Sequence, residues 1–302
     1  MNAYPDNLVR NLPEHPASRP IGQEDKALFD ALFAELQPRI SEFTFANLFL
    51  FRRAHDYRLS RIGGTVVVQG KRYTGERFFF PPFGADAGQA AERLLVEGGT
   101  VAAADQRFAD LFATCSDFEV TEDRDSFDYL YLRSALADLS GNRYHKKKNR
   151  VNYFINRHEH EVELYGAQHR EGCLALLDEW RRVREKMESP SLPEEAMAAA
   201  EALELADFLG LQGIVVLVGG EVKGFVLGEK LNDDTSVCHF EKADQFLEGL
   251  YQLIDREFCR LLFTECTYVN REQDLGEPNL REAKLSYHPV ELVKKFIIRK
   301  AD

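Results

Sequence analysis

Residues 213–231, GIVVLVGGEVKGFVLGEKL, set two apolar runs on either side of Gly219-Gly220. β-Branched residues suit a pleated, half-buried strand, and paired glycines supply the positive φ values of a two-residue hairpin turn. The spacing therefore predicts a β-hairpin. TSVCHFEKA (235–243) follows as a third strand, which makes the region a meander. Upstream, EVELYG (161–166) reads as a strand, HREGCLALLDEWRRVREKM (169–187) as a helix and LPEEAMAAAEALELADFLG (192–210) as a second helix closed by Gly210. Downstream lie a helix (244–262), the strand TECTYVN (264–270), a short helix (277–288) and a last strand, VELVKKFII (290–298).

The N-terminal half repeats this rhythm more loosely. Residues 22–36 and 41–55 have helical spacing, the second with a cap expected at Ser41. YRLSRIGGTVVVQGKR (57–72) turns at Gly63-Gly64, ERFFFPPFG (76–84) is a strand broken by proline, and 88–99 is a helix closed by glycine. The first twenty residues, with four prolines, suggest a surface arm. A three-stranded meander followed by alternating helix and strand is similar to the GNAT-type acyltransferase fold. The expected class is thus α/β (α+β): two tandem GNAT-like domains, 1–138 and 139–302, each a mixed, mostly antiparallel sheet flanked by helices, with the active site in the second.

Composition narrows the partners. The formal charge is -12, with 38 Lys and Arg against 50 Asp and Glu. An evenly acidic surface repels polyanions, so a nucleic-acid coat protein is excluded while one local anion grip is not. RYHKKKNRVNYFINRH (143–158) is that local exception, holding bases and no carboxylate. As a helix it puts Tyr144, Val151 and Ile155 together with Phe154 beside them, and Lys146, Arg150, Tyr153 and Arg157 on the other side; Lys147 is a further candidate phosphate contact. A row of cations with an interleaved aromatic suits phosphates and a stacked base. The same run also fits a solvated linker helix whose charges pair with surplus carboxylates. Five cysteines without close pairing point to a reducing, cytoplasmic compartment, and no apolar run approaches the ~20 residues that span a bilayer.

Candidate chemistry gathers near the end of the strand 264–270. Asn270, Arg271, Glu272 and Asp274 follow it, where open α/β sheets bind ligands, and Arg281, Lys284, Tyr287 and His288 recur at helical spacing. Glu241, Asp244 and Glu248 crowd the turn where a GNAT fold binds pyrophosphate, and only Gly249 stands where two glycines are usual. That departure counts against acetyl-CoA. Cys238 and His239, adjacent on a strand, point to opposite faces and cannot form a nucleophile–base pair. No metal site is expected.

Three segments, SEFTFANLFLFR (41–52), DYLYLRSALADLSGNRYHKKKNRVNYF (128–154) and YVNREQDLGEPNLREAKLSYHPV (268–290), resemble a bacterial family related to the C-terminal domain of phosphatidylglycerol lysyltransferase. The resemblance implies a tandem GNAT-like fold and acyl transfer, with aminoacyl-tRNA favoured over acetyl-CoA as donor, no required cofactor and an unknown small-molecule, lipid or peptide acceptor. Residues 143–158 would then hold the tRNA acceptor end. An aminoacyl ester is already activated, so positioning, a proton acceptor and donors to the oxyanion suffice. Glu241 or Glu272 would accept the proton or bind the amine as a carboxylate, Tyr287 would donate a proton, and Arg281 and Lys284 would bind a phosphate or carboxylate. A CoA-dependent N-acetyltransferase with an altered loop and a catalytically silent binding module are the alternatives.

Overall fold

In the computed structural model, residues 6–184 and 192–301 are described. They form two compact units: Met1–Asp128 with Gln273–Glu277 and Leu292–Asp302, and Tyr129–Glu272 with Pro278–Glu291. The end of the helix expected over 169–187 lies outside the described residues.

The first unit holds strands Arg19–Pro20 (β1), Arg58–Ile62 (β2), Thr65–Lys71 (β3), Arg77–Phe79 (β4), Val101–Ala104 (β5) and Phe118–Glu122 (β6). Its helices are Asp6–Arg10 (α1), Lys26–Leu36 (α2), Phe45–Leu50 (α3), Ala87–Val96 (α4) and Gln106–Ala109 (α5). The second sheet is built from Asp128–Leu132 (β7), His160–Leu164 (β8), Gln212–Val218 (β9), Glu221–Lys230 (β10), Thr235–Ala243 (β11), Tyr268–Asn270 (β12) and Glu291–Val293 (β13). Helices Arg133–Asp138 (α6), His145–Ile155 (α7), Arg170–Arg184 (α8), Leu192–Leu209 (α9), Leu250–Leu261 (α10) and Pro278–Leu285 (α11) accompany it, and Phe296–Lys300 (β14) ends the chain.

The two sheets run β1-β2-β3-β4-β5-β14-β6 and β13-β7-β12-β11-β10-β9-β8. From β1 the ladders are antiparallel three times, then parallel, then antiparallel. From β8 the succession is the same. Each sheet also contains a Gly-Gly hairpin, Ile62↔Thr65 and Val218↔Glu221. Gly219 and Gly220 both have positive φ, 61° and 80°, the type I′ geometry that matches strand twist. The expected fold class is therefore what the chain adopts: two mixed, mostly antiparallel sheets flanked by helices.

Three local readings are corrected. The chain leaves the first unit at Asp128, ten residues before the expected cut at 138, because Tyr129, Leu130 and Tyr131 are buried in β7 against β12. The last strand is split, and β14 returns to the first sheet, where Phe296 and Ile298 pack with Leu95, Val101 and Phe112. Residues 8–20 are packed rather than draped, since Val9 and Leu12 are buried and Arg19↔Leu59 pairs β1 with β2.

Ser41 does not cap a helix. That role falls to Thr44, whose Oγ1 accepts the Asn47 N–H at 3.0 Å. The Ser41 N–H and hydroxyl instead donate to the two oxygens of Asp128 at 2.8 and 2.9 Å. The fully buried Lys295 donates to Asp128 at 2.7 Å and to Glu42 at 2.5 Å. Burial raises the Glu42 pKa, against the pull of Lys295. Removing one partner of such a group strands a buried charge. Lys295→Met should therefore lower the unfolding free energy by about 3–5 kcal/mol in urea titrations; a loss below ~1 kcal/mol would show that the cluster is dispensable.

Candidate functional site

β11 and β12 pair in parallel for only three residues, Thr235↔Tyr268 to Val237↔Asn270. Beyond that point β11 continues to Ala243 while the chain after Asn270 turns away. Side chains alternate along a strand, so His239 and Glu241 share one face. Both are joined across the opening to the turn after β12. His239 bonds Glu272 through Nδ1 and Glu229 through Nε2, each at 2.8 Å. Arg271 donates to Glu241 through Nη2 and pairs with Asp255 at 2.6 Å through Nη1.

Asp255 reaches the site from α10, whose Leu250, Leu253, Ile254 and Phe258 are buried. A hydrogen bond links it to Tyr287, just after α11. On the face of the Tyr287 ring lie the Lys147 ammonium, 3.9 Å from the centroid, and the Arg271 guanidinium, at 5.4 Å. Two carboxylates, a guanidinium, a phenol and an ammonium thus form one cluster.

Electrostatics follow from burial. The Glu241 carboxyl is raised by burial and by the charge of Asp255, with Arg271 opposing. Tyr287 is raised by burial and by Asp255. Burial also lowers Lys147. For His239, burial works against the charged form, yet the bonds to Glu229 and Glu272 prevail and raise the pKa to about 10. The ring is therefore an imidazolium at neutral pH and both nitrogens donate.

Glu272 has a left-handed φ of 54°. Its N–H donates to Asn270 Oδ1 at 2.7 Å, and Lys284 Nζ donates to the Arg271 and Glu272 carbonyls at 2.5 and 3.1 Å. Asn270 and Lys284 thus shape the turn; the ammonium expected to bind a phosphate or carboxylate is turned onto backbone. Asp274 belongs to the first unit, fully buried, accepting from Arg124 and from the Gly276 N–H. Arg281 is half-buried on α11. His288 is exposed and meets the Arg143 carbonyl at 3.2 Å.

The basic run forms α7 with Val151 and Phe154 buried, as is Tyr144 just before it, whereas Ile155, expected to pack, is exposed. Lys146, Arg150, Tyr153 and Arg157 face outward. Arg157 stacks on Tyr153 at 3.6 Å, and Arg150 pairs with Glu248 at 3.3 Å. Gly249, with φ of 94°, begins α10, and a Cβ there would lie 2.1 Å from the Arg150 carbonyl oxygen. Backbone of α7 thus lies against the helix start where a pyrophosphate would sit.

Asp255, Glu229 and His239 were not among the expected site residues. An acid next to Ile254 on the apolar stripe of α10 was the signal for Asp255, and alternation with Glu241 the signal for His239.

A match to the family described as phosphatidylglycerol lysyltransferase, C-terminal, runs over residues 33–299. The chain belongs to that family. A conserved protein of unknown function from Bacteroides thetaiotaomicron is 30% identical, with a TM-score of 0.87 over 94% of this chain and 99% of that one. The C-terminal domain of a putative lysylphosphatidylglycerol synthetase from Agrobacterium fabrum shares the fold at 11% identity, with a TM-score of 0.65 over 92% of both chains. An uncharacterized protein of Mycoplasmoides gallisepticum is 24% identical over 176 residues, 58% of this chain; the chain spans 56% of that curated relative's length. The family match covers α7, the opening between β11 and β12 and the turn after it, so the whole cluster lies inside the shared region.

The imidazolium bridge gives this family member a pH signature. Its folded pKa lies above the ordinary 6.5, so the stabilisation is complete below that value and is lost as pH rises through about 10. The stability difference between wild type and His239→Gln should shrink steadily over that window. Imidazole nitrogen shifts in NMR should still report the doubly protonated ring at about pH 8; a neutral ring there would contradict the bridge.

Proposed function

We propose that the protein transfers an aminoacyl group from an activated ester, with aminoacyl-tRNA as donor, to an amine or hydroxyl of a separate acceptor. Membership of the lysyltransferase C-terminal family supports acyl or aminoacyl transfer as the class. The observation that carries the finer reading is Lys147: it extends from a helix whose outer face is cationic to the ring of Tyr287 within the acid–base cluster. A polyanion held on the outside of α7 would bring its end to the groups that handle protons.

Each group has a role in that reaction. Glu241, its carboxyl raised towards the working pH, takes the proton of the attacking acceptor. Arg271 offers positive charge to the oxygen that becomes anionic as the tetrahedral centre forms. Tyr287, held by Asp255, donates to the departing ribose oxygen. The approach of the Arg150 carbonyl to Gly249 favours a donor other than CoA. No described helix is long and apolar enough to cross a membrane.

Filter binding of aminoacylated tRNA at several salt concentrations tests the donor. Replacing Lys146, Lys148 and Arg157 with Ala should weaken binding and make the slope of log affinity against log salt shallower by about 0.7–0.9 for each phosphate no longer neutralised. Glu241→Gln should leave RNA binding unchanged while slowing transfer by about 10²–10⁴-fold. If wild type and triple mutant retain RNA equally poorly, α7 is a charged linker and the tRNA reading falls.

A further inference from the structure

Every described lysine holds an ion pair or hydrogen bond at Nζ except Lys146, Lys147, Lys148 and Lys300. Of these four, only Lys147 is partly buried. Its nitrogen rests on the Tyr287 ring at 3.9 Å, with the Arg271 guanidinium also on that ring at 5.4 Å. Desolvation is the largest influence on this half-buried ammonium and disfavours its charge, as do the nearby Arg271 and Arg150, while Asp255 and the face of the Tyr287 ring favour it; the balance lowers its pKa. The neutral amine is a nucleophile, and a desolvated lysine near a second cation is a recognised way of activating one.

Resting on the acyl-transfer reading above, we propose that Lys147 is itself an acyl acceptor, a self-acylation site beside the donor's carbonyl. The neutral amine forms an N–C bond to the acyl carbon as the ester C–O bond breaks. The products are an amide on Lys147 and an alcohol, which takes up the proton that the nitrogen gives up. The amide nitrogen is uncharged, so each event takes the ammonium off the Tyr287 ring; an aminoacyl group carries its own α-ammonium further along the side chain, and an acetyl group carries none. With a cognate acceptor in place, attack by the acceptor competes with this side reaction, and self-acylation is expected chiefly when the acceptor is scarce.

The wild-type protein and a small activated oxygen ester, p-nitrophenyl acetate at limiting dose, test the reactivity without assuming any natural donor. Peptide mapping by mass spectrometry should find Lys147 acetylated several-fold faster than Lys146 and Lys148 on the same helix, with a rate that rises at lower pH than theirs. Equal rates for the three, or a Lys147 slower than its neighbours, would overturn the proposal. A parallel incubation with tRNA carrying a radiolabelled amino acid distinguishes the two readings. Label on Lys147 supports both. Acetylation by the ester without label from tRNA keeps the reactive lysine and removes aminoacyl-tRNA as donor. Lys147→Arg, which keeps the charge, should abolish the label in either arm; its persistence on that peptide would assign the reaction to another residue and sink the proposal.

Discussion

Lys295 has no exposed surface and two carboxylates against its nitrogen, and the fold of the first unit depends on that arrangement. Asp128 is the last residue of that unit's long N-terminal stretch, and Lys295 lies at the start of the stretch by which the chain's end joins the same sheet. Holding one against the other fixes where the chain departs and where it returns. A buried lysine is tolerated only when paired, and Ser41 takes up the second oxygen of Asp128, so the group is satisfied as a whole. With Lys295 held there, the next residues, Phe296 and Ile298, are directed into the core built by α4, α5 and β5.

The second unit uses the same chemistry for a different end. Its sheet opens after Val237↔Asn270, and an opened sheet exposes backbone and side chains that need partners. Here the opening is bridged by ions: an imidazolium between two glutamates and a guanidinium between a glutamate and an aspartate. Buried charges gain little net stability against well-packed apolar groups, so this concentration is poorly explained by stability alone. The perturbed titratable groups gather at the end of a sheet strand, close to a half-buried lysine, an arrangement that also occurs where protons are transferred.

Much of this was legible in the sequence. The Gly-Gly hairpins, the meander and the helix–strand alternation announce themselves through period and turn residues, which are local properties. The exchange of β7 and β14 between halves does not, because DYLYL reads as strand in any sheet and nothing local says which sheet will bury it. Glu241, Arg271, Glu272 and Tyr287 were identifiable as polar residues near strand ends and do meet around the opening between β11 and β12. Asp255 was hidden because helical periodicity groups it with a core stripe, and Lys284 and Asp274 were misleading for the converse reason. A cation or anion close to a strained turn is as readily used to hold backbone as to hold a ligand, and only coordinates tell the two apart.

Charge placement ties the chemistry of the second unit to the acidic surface around it. The net charge is -12, and Lys26, Lys71, Lys223, Lys230 and Lys294 each pair with a carboxylate. Three consecutive lysines on α7, spread around the helix by about 100° per residue, have no such partner, so acids are kept away from this helix although they are plentiful elsewhere. Arg150 and Glu248 mark the edge of that exclusion, where the loop before α10 meets the helix. Inside the edge, the exposed cations are not paired with neighbouring acids and are left to water and salt, which raises the local positive potential of the helix. The helix is anchored by Val151 and Phe154 on its other side, so the uncompensated face is held in place rather than left to rearrange.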